Sequence, residues 1–127
     1  MSNTFHFPVQ IYYEDTDFSG LVYHANYLKF FERAREHAIG REKLLHLWDA
    51  GIGFVVYKIE LTYSEGAKFG DILDIRSTFE LDGSYRLNFH QEAWLPDGKK
   101  AATKGLIQLV CIDGNGRLVP IPTDSLP

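Results

Sequence analysis

From residue 5 to residue 13 the chain alternates. Phe5, Phe7, Val9, Ile11 and Tyr13 share one parity, with His6 and Gln10 between them, the period of a strand with one buried face. After Asn26, a good N-cap type, the spacing becomes helical. Tyr27, Phe30, Phe31, Ala34 and Ala38 form one stripe, and Lys29, Glu32, Arg33 and Glu36 lie opposite. Gly40 predicts the end of this helix, and residues 41–50 a second short one stopped by Gly51 and Gly53. Four more strands are predicted over 54–63, 72–81, 85–95 and 101–113, separated by the turn-like stretches 64–66, 82–84 and 96–98. In the strands over 72–81 and 85–95, Leu73, Ile75, Phe79 and Leu81, then Tyr85, Leu87 and Phe89, carry the apolar parity. The pattern predicts a one-faced antiparallel sheet covered by the long helix. Residues 106–112 are apolar almost throughout, which predicts a central strand or an assembly surface. The tail over 120–127 has three prolines and little to pack.

Composition narrows the setting. A chain of 127 residues with 45% apolar content fits one domain, here taken as 1–127 with an ordered core over 5–113. A net charge of −4 with 24% charged residues argues against a nucleic-acid partner. The lone cysteine, Cys111, sits in the apolar run, where a buried inert thiol is expected. No disulfide can form within one chain. With no run of 18 apolar residues and no leader-like N-terminus, a cytoplasmic protein without an integral membrane segment is expected.

The chemistry lies between the first strand and the long helix, in Tyr12-Tyr13-Glu14-Asp15-Thr16-Asp17-Phe18-Ser19-Gly20-Leu21-Val22-Tyr23-His24-Ala25-Asn26-Tyr27. Carboxylates there would stand beside the positive end of a helix dipole, and the first turn of a helix has N–H groups without internal partners. That combination suits attack on a carbonyl: a carboxylate delivers water or attacks directly, and the N–H groups of residues 23–26, His24 and Ala25 among them, hold the oxyanion. An Asp-x-Asp pair can equally cap turns. Gly20 either lets the loop approach an acyl group or simply makes a positive-φ turn.

This run closely resembles the signature of the hotdog-fold acyl-CoA thioesterases, the 4-hydroxybenzoyl-CoA thioesterase family, and within it the Tol-Pal-associated acyl-CoA thioesterase branch. The resemblance implies an α+β hotdog fold, a curled antiparallel sheet of about five strands wrapped round one long central helix. It implies Asp17 as the catalytic carboxylate. The branch assignment rests on His24, which is thought to assist at the thioester there and is aromatic in the benzoyl branch. Tyr13 is either a hydrogen-bond donor to the site or core. Tyr27, with Phe30 and Phe31, either lines an acyl pocket or is core. Ser84 and Arg86 fall where family members hold a nucleotide-contacting turn and strand, and Lys99, Lys100 and Lys104 form a second basic group. Glu32 and Arg35, in Glu32-Arg33-Ala34-Arg35, are expected in a salt bridge or subunit contact. The implied substrate is an acyl-CoA, with an acyl carrier protein as another possible donor. No cofactor is implied, since CoA belongs to the substrate, and the implied assembly is a homodimer or homotetramer.

Rival motifs are weaker. Asp15, Asp17, Ser19 and Gly20 copy the first positions of an EF-hand loop, but position twelve is Asn26 and a strand precedes. The five histidines show no i, i+4 ligand pair, so no metal is expected, and no Gly-x-Ser-x-Gly occurs. A hydratase or dehydratase on acyl thioesters and a non-catalytic acyl-binding or scaffold module remain the alternatives.

Overall fold

The computed structural model describes residues 3–127. Its elements run β1 (Phe5–Gln10), a 3₁₀ turn (Tyr13–Asp15), α1 (Asn26–Ile39), α2 (Arg41–Asp49), β2 (Gly53–Tyr63), β3 (Ile72–Asp82), β4 (Arg86–Trp94), β5 (Ala101–Ile112), β6 (Leu118–Val119) and a second 3₁₀ turn (Thr123–Ser125). One antiparallel sheet has the order β1-β3-β4-β5-β2, with β6 added beside the end of β5. The expected sheet-and-helix layout is present, with a short sixth strand beyond the five anticipated.

Strand parity sets the core. Leu73, Ile75, Leu87, Phe89, Ile107 and Leu109 point from neighbouring strands to one face, where α1 turns Tyr27, Phe30, Phe31 and Ala34 against them. Phe30 and Phe31 are 1% and 0% exposed. Burial of an aromatic side chain is worth about 1.5–3 kcal/mol, so this stripe seats the helix. α1 ends at Gly40, whose φ of +103° is a backbone state that side-chain-bearing residues rarely adopt.

The edges of the pattern needed correction. β1 stops at Gln10, and Tyr13 stands in the 3₁₀ turn, 80% exposed and edge-on to Phe69, because the chain leaves the sheet after Ile11. Asn26 is the first residue of α1 instead of its cap, and no side chain caps that end. Tyr85 and Leu81 are half-exposed where the sheet outruns the helix. The tail packs: Ile121 is buried, and its N–H donates to the Ser84 carbonyl at 2.8 Å. The apolar run is β5, an interior strand between β4 and β2. Its Cys111 is fully buried, which pushes the thiol up to about 11.

One polar node lies in this core. Gln91 of β4 accepts from Arg35 Nη1 at 2.9 Å and donates through Nε2 to the Phe31 carbonyl and to Ser77 Oγ, both at 2.9 Å. Arg35 is buried, and desolvation holds its pKa below the usual value although Glu32, 4.0 Å away, opposes the shift. Removing the amide strands a buried cation and a helix carbonyl contact at once. Gln91→Leu should therefore lower the unfolding free energy by about 1.5–3 kcal/mol, read from urea titrations against the parent chain.

Candidate active site

The loop between β1 and α1 is a folded object, closed mostly by its own backbone. Gly20 N–H donates to the Asp17 carbonyl and Asp17 N–H to the Leu21 carbonyl, both at 3.0 Å. Thr16 and Val22 form an isolated bridge, and Val22 N–H reaches the Ala67 carbonyl at 2.9 Å. Gly20 has φ +83° and no atom within 4 Å of where a Cβ would stand, so in this chain the turn itself demands glycine.

The two aspartates, separated by Thr16, face different ways. The Asp15 carboxylate accepts from Tyr12 N–H at 2.8 Å and lies 3.4 Å from Asn26 Nδ2, while its carbonyl accepts from Tyr23 N–H at 2.9 Å. It fastens the end of β1 to the start of α1. Asp17 is exposed, and its Oδ1 takes both the N–H of Ser19, at 2.8 Å, and the Ser19 hydroxyl. Those donations, the hydroxyl's first and then the N–H's, hold the Asp17 carboxyl below its ordinary value, and the charge of His24 assists against slight desolvation. Oδ2 is left to the solvent side.

Beside it lies the helix start. Tyr23 N–H is used by Asp15, and Asn26 N–H by the Tyr23 carbonyl at 2.8 Å, whereas the N–H groups of His24 and Ala25 have no protein partner among the described residues. The His24 ring is exposed, tilted against Tyr23 at 4.6 Å and edge-on to Tyr63 at 6.1 Å. An ionised carboxylate, two free N–H groups and an imidazole thus share one loop. They can activate a nucleophile and hold a developing oxyanion.

A family model described as the Thioesterase-like superfamily matches residues 12–126. The chain belongs to this superfamily. Among curated members it is 33% identical over 124 residues to the acyl-CoA thioesterase YbgC of Haemophilus influenzae, covering 95% of this chain and 89% of that one. The YbgC protein of Helicobacter pylori is 43% identical over 68 residues, 54% of this chain and 50% of its own length. These relatives agree with the branch to which His24 pointed. Among solved structures, the 1,4-dihydroxy-2-naphthoyl-CoA thioesterase of Synechocystis superposes with a TM-score of 0.86 at 21% identity, covering 95% of this chain and 91% of that one. A probable thioesterase of Bartonella henselae gives 0.77 at 30% identity, covering 94% and 98%. The hotdog fold is the architecture of this superfamily member.

The remaining expected site residues are dispersed. Tyr27 is 3% exposed within the core, since α1 turns this face to the sheet; desolvation pushes its phenol up. It and the buried Phe30 and Phe31 are core in the single chain. Tyr13 points outward beside Phe69 and makes no hydroxyl hydrogen bond among the described residues. Ser84 and Arg86 lie at the end of the sheet remote from Asp17: β1 runs into the loop from Gln10, paired with Ile72 at one end of β3, and Arg86 pairs with Asp82 at the other. Arg86 sits 5.4 Å over the Tyr57 ring and 4.0 Å from the Asp82 carboxylate.

Two contributors escaped the sequence reading. Ser19 stands two residues after an aspartate, a spacing typical of turns in which Asx side chains take a local N–H, so a local signal existed. Tyr63 comes from the far end of β2 and carried no such mark. Ser19→Ala should let the Asp17 carboxyl rise toward the ordinary value of about 3.9. Because a depressed carboxyl stays ionised until the pH falls through its lowered value, the acid limb of kcat/KM should move up in pH. A pH–rate profile of the variant identical to that of the parent chain would remove Asp17 from the titrating step.

Proposed function

We propose that this chain hydrolyses acyl-CoA thioesters to the free acid and CoA, with Asp17 as the reacting carboxylate. One observation carries the reading: in a chain of the Thioesterase-like superfamily, an exposed, ionised Asp17 and the unpartnered N–H groups of His24 and Ala25 occupy the same short loop. A thioester carbonyl with its oxygen toward those two donors gains negative charge as a new C–O bond forms. Collapse of the tetrahedral species expels the CoA thiolate. With Oδ1 held by Ser19, Oδ2 is the atom that acts. It either attacks the carbonyl, giving a mixed anhydride that water cleaves, or takes a proton from the water that attacks. To His24, whose ring is exposed beside Tyr23 and Tyr63, we assign polarisation of the thioester, and to the outward-pointing Tyr13 no part within one chain. For the acyl group we assign an open groove beside α1, a cavity of about 140 Å³ whose apolar side is Leu28, Val56, Ile59 and Ile107 and whose charged side is Lys29, Glu32 and Arg35.

We propose further that the site is completed by a second copy, in a homodimer or a pair of dimers. β2 is an edge strand whose Val55, Val56, Tyr57 and Ile59 are each 39–57% exposed. An apolar edge of this length invites antiparallel pairing. Pairing β2 with its symmetry mate would set the Tyr63 end of one copy beside the Gly53 end of the other, the end of the sheet that carries Ser84 and Arg86. The nucleotide contacts and the reacting loop then come from different copies. An acyl carrier protein would present the same thioester, and no further cofactor is required. A cytoplasmic setting suits a CoA substrate.

Asp17→Asn should keep the fold and lose about 10² to 10⁴ in kcat, measured as free thiol release from short, long and aromatic acyl-CoAs. Undiminished turnover would remove Asp17 from the chemistry, and thiol-free conversion of an enoyl-CoA would favour a hydratase. A single turnover in oxygen-labelled water tests the covalent route: label entering the Asp17 carboxylate marks a mixed anhydride cleaved at the Asp17 carbonyl, which general-base catalysis cannot produce. Arg86→Ala should raise KM for acyl-CoA more than it lowers kcat. An acyl-N-acetylcysteamine, which lacks the nucleotide, should be insensitive to that change.

A further inference from the structure

Tyr63 donates its hydroxyl to the backbone carbonyl of His24 at 3.0 Å, the one side-chain hydrogen bond from β2 to this loop among the described residues. That carbonyl has no helix partner, because the first turn of α1 closes through Leu28 N–H to the Ala25 carbonyl at 3.2 Å. The bond therefore does something the helix does not. A trans peptide is planar, with its C=O and N–H antiparallel, so holding the oxygen of the His24–Ala25 unit also sets the direction of the Ala25 N–H. Accepting a hydrogen bond at the oxygen polarises the same unit and makes its N–H a stronger donor. The preceding unit is held likewise: the Tyr23 carbonyl accepts from Asn26 N–H at 2.8 Å, and the N–H of that unit belongs to His24. Both free N–H groups at the helix start thus belong to peptides whose oxygens are already engaged.

We propose that Tyr63 is a positioning residue for the oxyanion site, aiming and polarising the Ala25 N–H through the His24 carbonyl. This inference rests on the thioester-hydrolysis reading above. Tyr63 is suited to the task by where it stands. It is the last residue of β2, paired with Thr103 of β5, so its backbone belongs to the sheet and not to the loop it steadies. Its ring packs against Tyr27 at 5.9 Å and edge-on to His24 at 6.1 Å, which restricts its rotamer. Partial desolvation raises the phenol's pKa, so the hydroxyl keeps the proton it donates. Support anchored on a regular element holds a site more accurately than support from a loop.

Tyr63→Phe keeps the ring contacts and deletes the donor. A whole oxyanion donor is worth about 10² to 10³ in kcat; a donor that is only misdirected and less polarised should cost less, about 3- to 30-fold. The loss should fall on kcat with KM unchanged, because the interaction strengthens only as charge develops on the substrate oxygen. Steady-state rates are read with whichever short aliphatic, long aliphatic or benzoyl thioester of CoA the parent chain turns over best. Alongside them, the amide nitrogen resonance of Ala25 should move in the variant, since it reports on the hydrogen bond at the preceding carbonyl. Melting temperatures of the two proteins should agree. An unmoved Ala25 resonance, an unchanged kcat, or a loss confined to KM would each overturn the assignment, the last by making Tyr63 a substrate contact. A parent chain that releases no thiol from any of the thioesters sinks the hydrolase reading instead, a result distinct from an active parent with an equally active Tyr63→Phe.

Discussion

The seating of α1 on the concave face of the sheet is the constraint on which the site depends. Phe30 and Phe31 are the largest fully buried side chains of α1, but hydrophobic burial has no direction, and a greasy stripe can slide or rotate against a greasy sheet. Gln91 removes that freedom. Its side chain is fully buried and holds α1 at two points, the Phe31 carbonyl and the Arg35 guanidinium, while Ser77 ties the amide to β3. The free N–H groups emerge at the N-terminus of α1, less than two turns upstream of Phe31. A helix that rotated by one residue would carry them away from Asp17.

The loop itself divides two jobs between two neighbouring carboxylates. Asp15 spends its oxygens and its carbonyl on Tyr12, Tyr23 and Asn26, so it joins strand to helix and is committed to structure. Asp17 has one oxygen held by Ser19 and the other free. The hold costs some basicity, since donors stabilise the ionised form, and in return fixes the orientation of the oxygen that remains. An exposed carboxylate without such a hold would rotate freely and seldom face a substrate.

A solitary chain leaves two features unexplained. The loop that carries Asp17 is exposed, and β2 presents an edge of eleven residues on which Val55, Val56, Tyr57 and Ile59 are exposed among the charged Lys58 and Glu60. In the dimer proposed above, a second copy laid along β2 would cover this edge and bring Ser84 and Arg86 of one copy toward the loop of the other.

Much of this was legible in the chain because it rests on short-range physics. Period-two and helical spacing located every major element to within a residue or two, except that β1 ended three residues before the expected Tyr13, since backbone geometry and side-chain parity act locally. The density of the motif from Tyr12 to Tyr27 identified the family. What only the tertiary structure decided involves partners far apart in sequence. Tyr13 and Tyr27 share a residue type and flank the same motif, yet one is 80% and the other 3% exposed, because the chain leaves the sheet before the first and packs against it at the second. Arg35 keeps the expected ion pair with Glu32, at 4.0 Å, but it is also buried against Gln91, 56 residues away, which no local pattern announced. Tyr63 met the carbonyl of His24 across 39 residues. No local pattern encodes such pairings, since the sheet must curl round the helix before these atoms come within hydrogen-bond reach.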